Sequence, residues 1–130
     1  MKFFFDNCIS PKIVKALRVL DDQGHTFQHL IEKFGRGNLK DQEWLPVLKQ
    51  EGGWIIVSID LFNKTKEENQ EMRESGVAVF IFAEGHGQLP HWEQVRRVIT
   101  WWPLIVEKAH HSKRGDCFRL PMTSRTFKPY

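Results

Sequence analysis

The chain has 130 residues and only two cysteines, Cys8 and Cys117, which stand far apart with no CxxC. That spacing excludes a zinc motif and a disulfide framework, and a reducing, cytoplasmic setting is the simplest reading. Long apolar runs are missing as well. The longest, Trp54–Val57 and Val77–Phe82, fall far short of the roughly 20 residues a membrane helix needs. The amino terminus meets Asp6 directly after Phe3, Phe4 and Phe5, too soon for a secretory signal. Of the six histidines, none sits in an HExxH pattern, so a histidine metal site has no support. Ser58 has no histidine at triad spacing and there is no Asp-x-Asp pair. Nucleophilic catalysis and a phosphotransferase nucleophile are therefore unsupported. Internal repeats and low-complexity tracts are absent too.

What is present suits one packed domain over residues 1–130: 41% of residues are apolar and 27% charged. The net charge of +3 is unevenly spread. Arg96 to Tyr130 holds 8 Lys/Arg against 2 Asp/Glu, a balance of +6, whereas the first 95 residues hold 11 against 14, a balance of −3. A basic final third beside an acidic remainder suits an anionic partner such as nucleic acid, although a solvated basic tail has the same composition.

Along the chain, Lys2–Asp6 reads as a short buried strand. Ser10-Pro11 is a helix start, and Ile13, Val14, Leu17 and Leu20 recur at helical spacing until Gly24. His25–Leu30 is a weak strand and Gly35–Asn38 a loop. Asp41 reads as the cap of a helix that Pro46 kinks or delays. Trp54–Ser58 and Val77–Phe82 are interior strands, separated by a helix whose Thr65-x-x-Glu68 start has the form of a capping box. Gly85-His86-Gly87 is a turn in the following loop. Pro90 opens a long amphipathic helix, bent at Pro103, and Cys117–Leu120 is a terminal strand. Apolar strands alternating with helices predict a mostly parallel central sheet covered on both faces, a three-layer α/β/α sandwich.

In such a sheet, ligands bind beyond the carboxyl ends of the strands. Asp6 closes the first strand and Asp60 follows the third. Asp41 and Glu43 open the crossover helix between them, whose amino terminus belongs at the same edge. Asn7, Ser58 and Asn63 add neutral oxygens. Carboxylates gathered in this way repel one another unless a cation lies among them, and hard oxygen donors suit Mg²⁺ or Mn²⁺. Each acid alone has a plainer reading, Asp41 as a helix cap and Asp6 or Asp60 as a turn residue. Their shared edge is what points to a site.

These segments resemble the PIN-like domain family, in particular its small group related to VapC-type toxins. Phe3-Phe4-Phe5-Asp6-Asn7, Ile9-Ser10-Pro11 and the helix from Lys12 to Leu17 are similar to the family's opening. Lys40-Asp41-Gln42-Glu43-Trp44 resembles its acidic helix start, with Gln42 replacing one acid. Ile56-Val57-Ser58-Ile59-Asp60 resembles its strand-then-Asp motif, and His91-Trp92-Glu93 through Thr100-Trp101-Trp102-Pro103 its Trp-rich helix. The resemblance implies a PIN-like fold, Mg²⁺- or Mn²⁺-dependent endoribonuclease activity, and a cognate antitoxin protein as partner. The matching site positions are Asp6, Asp41 or Glu43, and Asp60. Many members carry a further acid where this chain reads Leu61-Phe62-Asn63-Lys64; Asn63 offers a carbonyl but no charge, so one metal or two stays open.

The leading expectation is thus a metal-dependent ribonuclease, the toxin of a toxin–antitoxin pair, with RNA as substrate. Arg96, Arg97, Lys113, Arg114 and Arg119, with Arg125, are the candidates for gripping phosphates. Trp92, Trp101 and Trp102 suit core packing or a homodimer seam, or base stacking. The alternative is a weak or inactive PIN-like module that binds RNA or a protein. A small phosphohydrolase on a similar sheet ranks third.

Overall fold

A computed structural model describes residues 1–59, 78–122 and 127–129. The expected Thr65–Glu74 helix, Asp60, Asn63 and Arg125 lie outside the described residues. The elements run β1 (Lys2–Phe5), α1 (Pro11–Leu20), β2 (Thr26–His29), α2 (Leu30–Phe34), α3 (Asp41–Glu51), β3 (Trp54–Ile59) and β4 (Ala78–Phe82). A short 3-10 helix (Glu84–Gln88), α4 (His91–His110), β5 (Cys117–Leu120) and β6 (Lys128–Pro129) follow. The sheet has six strands in the order β2-β1-β3-β4-β5-β6; all neighbours are parallel except β5 and β6.

Why these strands are apolar throughout follows from their two-sided burial. Alternate residues of a strand face opposite ways, and the core divides accordingly. Phe3, Phe5, Phe27, Val57 and Phe80 pack with Ile13, Val14 and Leu17 of α1 and with Val98, Trp101 and Ile105 of α4. Phe4, Ile56, Val79 and Ile81 pack on the other face with Leu30 of α2 and Trp44, Leu45 and Leu48 of α3. Each wholly buried phenylalanine contributes about 1.5–3 kcal/mol. The two clusters are the outer contacts of a three-layer α/β/α sandwich with a mostly parallel centre, as the sequence predicts.

Local chemistry sets the helix starts. The Ser10 hydroxyl accepts the Lys12 backbone N–H at 3.2 Å, and Pro11 occupies the first helical turn. The residue before α3 is Lys40, so Asp41 is the first helical residue rather than the cap. Pro46 interrupts nothing: α3 runs unbroken from Asp41 to Glu51. Proline there removes one bond to the carbonyl of Gln42, on the exposed side of the helix. Three elements were not expected from the sequence, β6 beyond the supposed terminal strand among them. Leu30 opens α2 instead of ending β2, and the Gly85-His86-Gly87 turn is part of the 3-10 helix. No helix among the described residues is long and apolar enough to cross a membrane.

Candidate functional site

Asp6 extends β1 by one step: its backbone N–H donates to the Val57 carbonyl at 3.1 Å. The pairing of Phe5 with Val57 therefore sets Asp6 beside Ser58. Ser58 is fully buried, and its hydroxyl donates to Oδ2 of Asp6 at 3.1 Å. Oδ1 of Asp6 accepts the Asn7 backbone N–H at 2.6 Å. Both carboxylate oxygens are thus oriented, while the residue is only half-buried and opens to the carboxyl edge of the sheet.

Cys8 adds a second tie to the same strand end. Its Sγ accepts the Ile59 backbone N–H at 3.2 Å and lies 3.5 Å from the Ser58 hydroxyl. Ile59 immediately precedes Asp60 in the chain. The loop after β1 is anchored next by His29, which is wholly buried. Its Nε2 is 2.7 Å from the Ile9 carbonyl, and its Nδ1 is 3.0 Å from the Ile31 backbone nitrogen. A carbonyl only accepts and a backbone N–H only donates, so Nε2 carries the proton and Nδ1 is bare. Burial accordingly pushes the His29 pKa down, against the Ile9 bond and the nearby Glu32 and Asp6 charges. Glu32 returns the bond, accepting the His29 N–H at 2.9 Å. Sequence reasoning missed His29; the trace it leaves is a His-x-x-Glu spacing that works as a capping box for α2.

α3 begins at this edge because the β2–β3 crossover must return antiparallel to the strands. Asp41 and Glu43 occupy its first turn, where the helix dipole favours anions. Glu43 reaches back, and its Oε2 accepts the Lys40 N–H at 2.8 Å. The loop leading into α3 leans on Asn7: a Cβ at Gly37 would stand 2.9 Å from Asn7 Oδ1 and 3.2 Å from Ile31 Cγ1. A methyl there would displace the exposed Asn7 amide and press on Ile31. Among the described residues, no group of three or more His, Cys, Asp or Glu side chains could hold a metal ion. Asp60, the expected third carboxylate, and Asn63 lie outside them.

The expected basic residues are divided between the two edges of the sheet. α4 runs back along the sheet, so Lys113 and Arg114, which follow it and precede β5, stand at the amino edge, away from Asp6. Arg119 lies within β5. Arg97 is committed to structure: its guanidinium donates to the carbonyls of Leu120 at 3.1 Å, Pro121 at 2.6 Å and Met122 at 3.2 Å, and sits 5.7 Å over the Phe82 ring. Arg96 is exposed and pairs with Glu93 at 2.9 Å. Trp101 is buried and Trp102 packs on Phe3 at a ring distance of 4.8 Å, so both serve the core; Trp92 is exposed.

His86 is the outlier of this edge. It is fully buried against Phe82, with ring centroids 4.6 Å apart, and among the described residues neither ring nitrogen has a hydrogen-bond partner. Burial, then the Arg97 charge, pushes its pKa down to about 4, so the ring is neutral at pH 7.

No curated protein and no solved structure matches the chain. A family model described as a PIN-like domain matches residues 1–84. That span takes in β1 with Asp6, the α3 start with Asp41 and Glu43, and β3 with Ser58, and it stops before the Trp-rich α4. Three of the four segments whose wording resembled that family fall inside it, on a sheet of the expected architecture, and the chain belongs to the PIN-like domain family.

Proposed function

We propose that the protein is a metal-dependent endoribonuclease, the toxin of a VapC-like toxin–antitoxin pair, working in the cytoplasm. The observation that carries this reading is the Asp6 carboxylate, fixed by Ser58 across two strands at the edge where α3 also starts with acids. PIN-like domains are generally nucleases. The donor chemistry suits a hard dication: Asp6, Asp41 and Glu43 offer carboxylate oxygens. Asp6, Asp41 or Glu43, and Asp60 would hold Mg²⁺ or Mn²⁺. When bound, such an ion lowers the pKa of a water and polarises a phosphoryl oxygen.

The chain's own residues do the rest. Ser58 holds Asp6 in one rotamer and keeps one carboxylate oxygen occupied as an acceptor. Cys8 and His29 fix the loop that carries Asp6 and Asn7. Asn7 and Asn63 orient water or phosphate, and Arg96 and Arg119 are the nearer cations for the RNA backbone. A cognate antitoxin would silence the edge by covering it.

The deciding experiment is cleavage of single-stranded RNA with Mg²⁺ or Mn²⁺ by the wild type and by Asp6→Asn. Loss of cleavage in a folded Asp6→Asn protein is expected. Equal cleavage by both would overturn the reading. Growth arrest on expression, relieved by Asp60→Ala, tests the toxin role. A second reading, a PIN-like module that binds RNA or protein without cutting, draws on Asn63 standing where many members carry a further acid. It predicts RNA binding by both proteins and cleavage by neither.

A further inference from the structure

Trp44, Trp54 and Trp101 are buried, and Trp102 is half-buried against the phenylalanines of β1. Trp92 is 77% exposed. An indole left so open at one defined place on a sheet edge invites a partner with a flat face. The place is defined by topology. α4 follows β4 and returns to the parallel β5, so its first turn lies at the carboxyl edge, the edge of Asp6.

That turn is also tied to the end of β3. The Gln94 side-chain amide donates to the Leu89 carbonyl at 2.9 Å and the Gly87 carbonyl at 3.3 Å. Gly87 rests on β3: a Cβ there would stand 3.7 Å from Ile59 Cγ2. The side of α4 on which Trp92 sits follows from helical spacing. Ile99, two turns on, lines a cavity with Leu17 and Leu20 of α1, so Trp92 shares the α1-facing flank. Arg97 takes the opposite flank toward β5. Arg96, one turn beyond Trp92, has 76% of its side chain exposed, and its partner Glu93 has 48%. A phosphate competes readily for a guanidinium held in so open a pair.

We propose that Trp92 is a stacking platform for a base of single-stranded RNA, with Arg96 on the adjoining phosphate, feeding the strand toward the Asp6 edge. An aromatic face beside a cation is the arrangement by which proteins hold unpaired nucleic acid without reading its sequence. Arg96 brings the cation to this edge, whereas Lys113 and Arg114 stand at the opposite one. The proposal rests on the nuclease reading for its substrate, yet it is tested by binding alone.

The test is fluorescence anisotropy of a labelled single-stranded RNA of about 12 nucleotides, titrated with the full chain carrying Asp6→Asn. Adding Trp92→Ala should weaken binding by about fivefold to a hundredfold, and Trp92→Phe should restore most of it. Arg96→Ala should weaken binding and flatten its salt dependence. A duplex of the same sequence should be indifferent to Trp92→Ala. Affinity unchanged by Trp92→Ala, or no binding of single strands by the parent, overturns the platform. So does a Trp92→Ala protein that loses self-association in sedimentation while keeping its RNA affinity, since the indole is then a seam between copies. Circular dichroism establishes that each variant is folded. Cleavage by the wild type is scored separately: Trp92-dependent binding without cleavage sinks the nuclease reading and keeps the platform, and the converse result keeps the nuclease and sinks the platform.

Discussion

The Ser58 hydroxyl donates to Asp6 Oδ2 at 3.1 Å, a bond spanning 52 positions of sequence between the ends of two adjacent parallel strands. Ser58 is fully buried, and Asp6 Oδ2 is the nearest acceptor for its hydroxyl, ahead of the Ile59 carbonyl at 3.4 Å. Ser58→Ala removes the restraint and little volume. The expected cost is about 1 kcal/mol of stability, read by urea denaturation, with a loss of about tenfold in RNA cleavage as Asp6 becomes free to turn. Unaltered cleavage would mean that Asp6 needs no positioning.

Asp6→Asn removes the charge; its one oxygen still accepts the Asn7 N–H, and its amide donates to the Ser58 hydroxyl instead of accepting from it. Its melting temperature in chelator should lie within a few degrees of wild type. Mg²⁺ or Mn²⁺ should raise the wild-type value, because an ion that binds only the folded state stabilises it by mass action, and should leave the variant unmoved. Equal shifts for both proteins would place the ion elsewhere.

Gly37→Ala probes the loop over Asn7. The added methyl meets Asn7 Oδ1 at 2.9 Å, so Asn7 must give way. Cleavage should fall about tenfold or more, out of proportion to a stability loss of about 1 kcal/mol. Parallel assays of rate and melting temperature separate the two.

His86 makes the fold acid-sensitive. Its folded pKa of about 4 lies below the ordinary 6.5, so between those values the unfolded chain binds the proton more readily. Stability therefore falls as pH drops through that window, by about 1–2 kcal/mol from pH 7 to pH 5. His29, lowered by burial, acts with the same sign. His86→Leu, which removes two buried nitrogens with no partner among the described residues, should flatten much of this slope and gain about 1 kcal/mol at pH 7. Denaturant midpoints at the two pH values decide it; an undiminished slope would assign the effect to other groups.

Neighbouring arginines on α4 should behave oppositely. Arg97→Ala removes the guanidinium from the Pro121 and Met122 carbonyls and leaves the Leu120 carbonyl with only the Ala83 N–H, and should cost about 2–3 kcal/mol. Arg97→Lys should recover little, because an ammonium cannot reproduce the planar fork. Arg96→Ala should stay within about 0.5 kcal/mol of wild type. Thermal unfolding of the three variants checks the contrast.

Much of the fold was legible because burial on both faces leaves a plain mark. Lys2–Asp6, Trp54–Ser58 and Val77–Phe82 read as strands without help, and Ser10-Pro11 announced α1. α2 has five residues, too few for a helical period to emerge, and β6 has two, one of them proline. At the site, the end of the phenylalanine run marked Asp6. Its bond to Ser58 depends on the register of strands far apart in sequence, which no local pattern encodes. Charge counting likewise has no direction. Arg96 and Arg97 look equivalent in the sequence, yet a rotation of about 100° per residue sends one into water and the other against β5.

The family match stops at residue 84, but Phe3, Phe5 and Phe27 are roofed by Trp102, which arrives on α4 only afterwards. The stretch shared with the family and the stretch able to stand alone in water are consequently different lengths. A fragment cut at that boundary would bare a slab of aromatic rings and clump. Any chimera or minimal version of this protein has to carry the second half of the roof along with the acids beneath it.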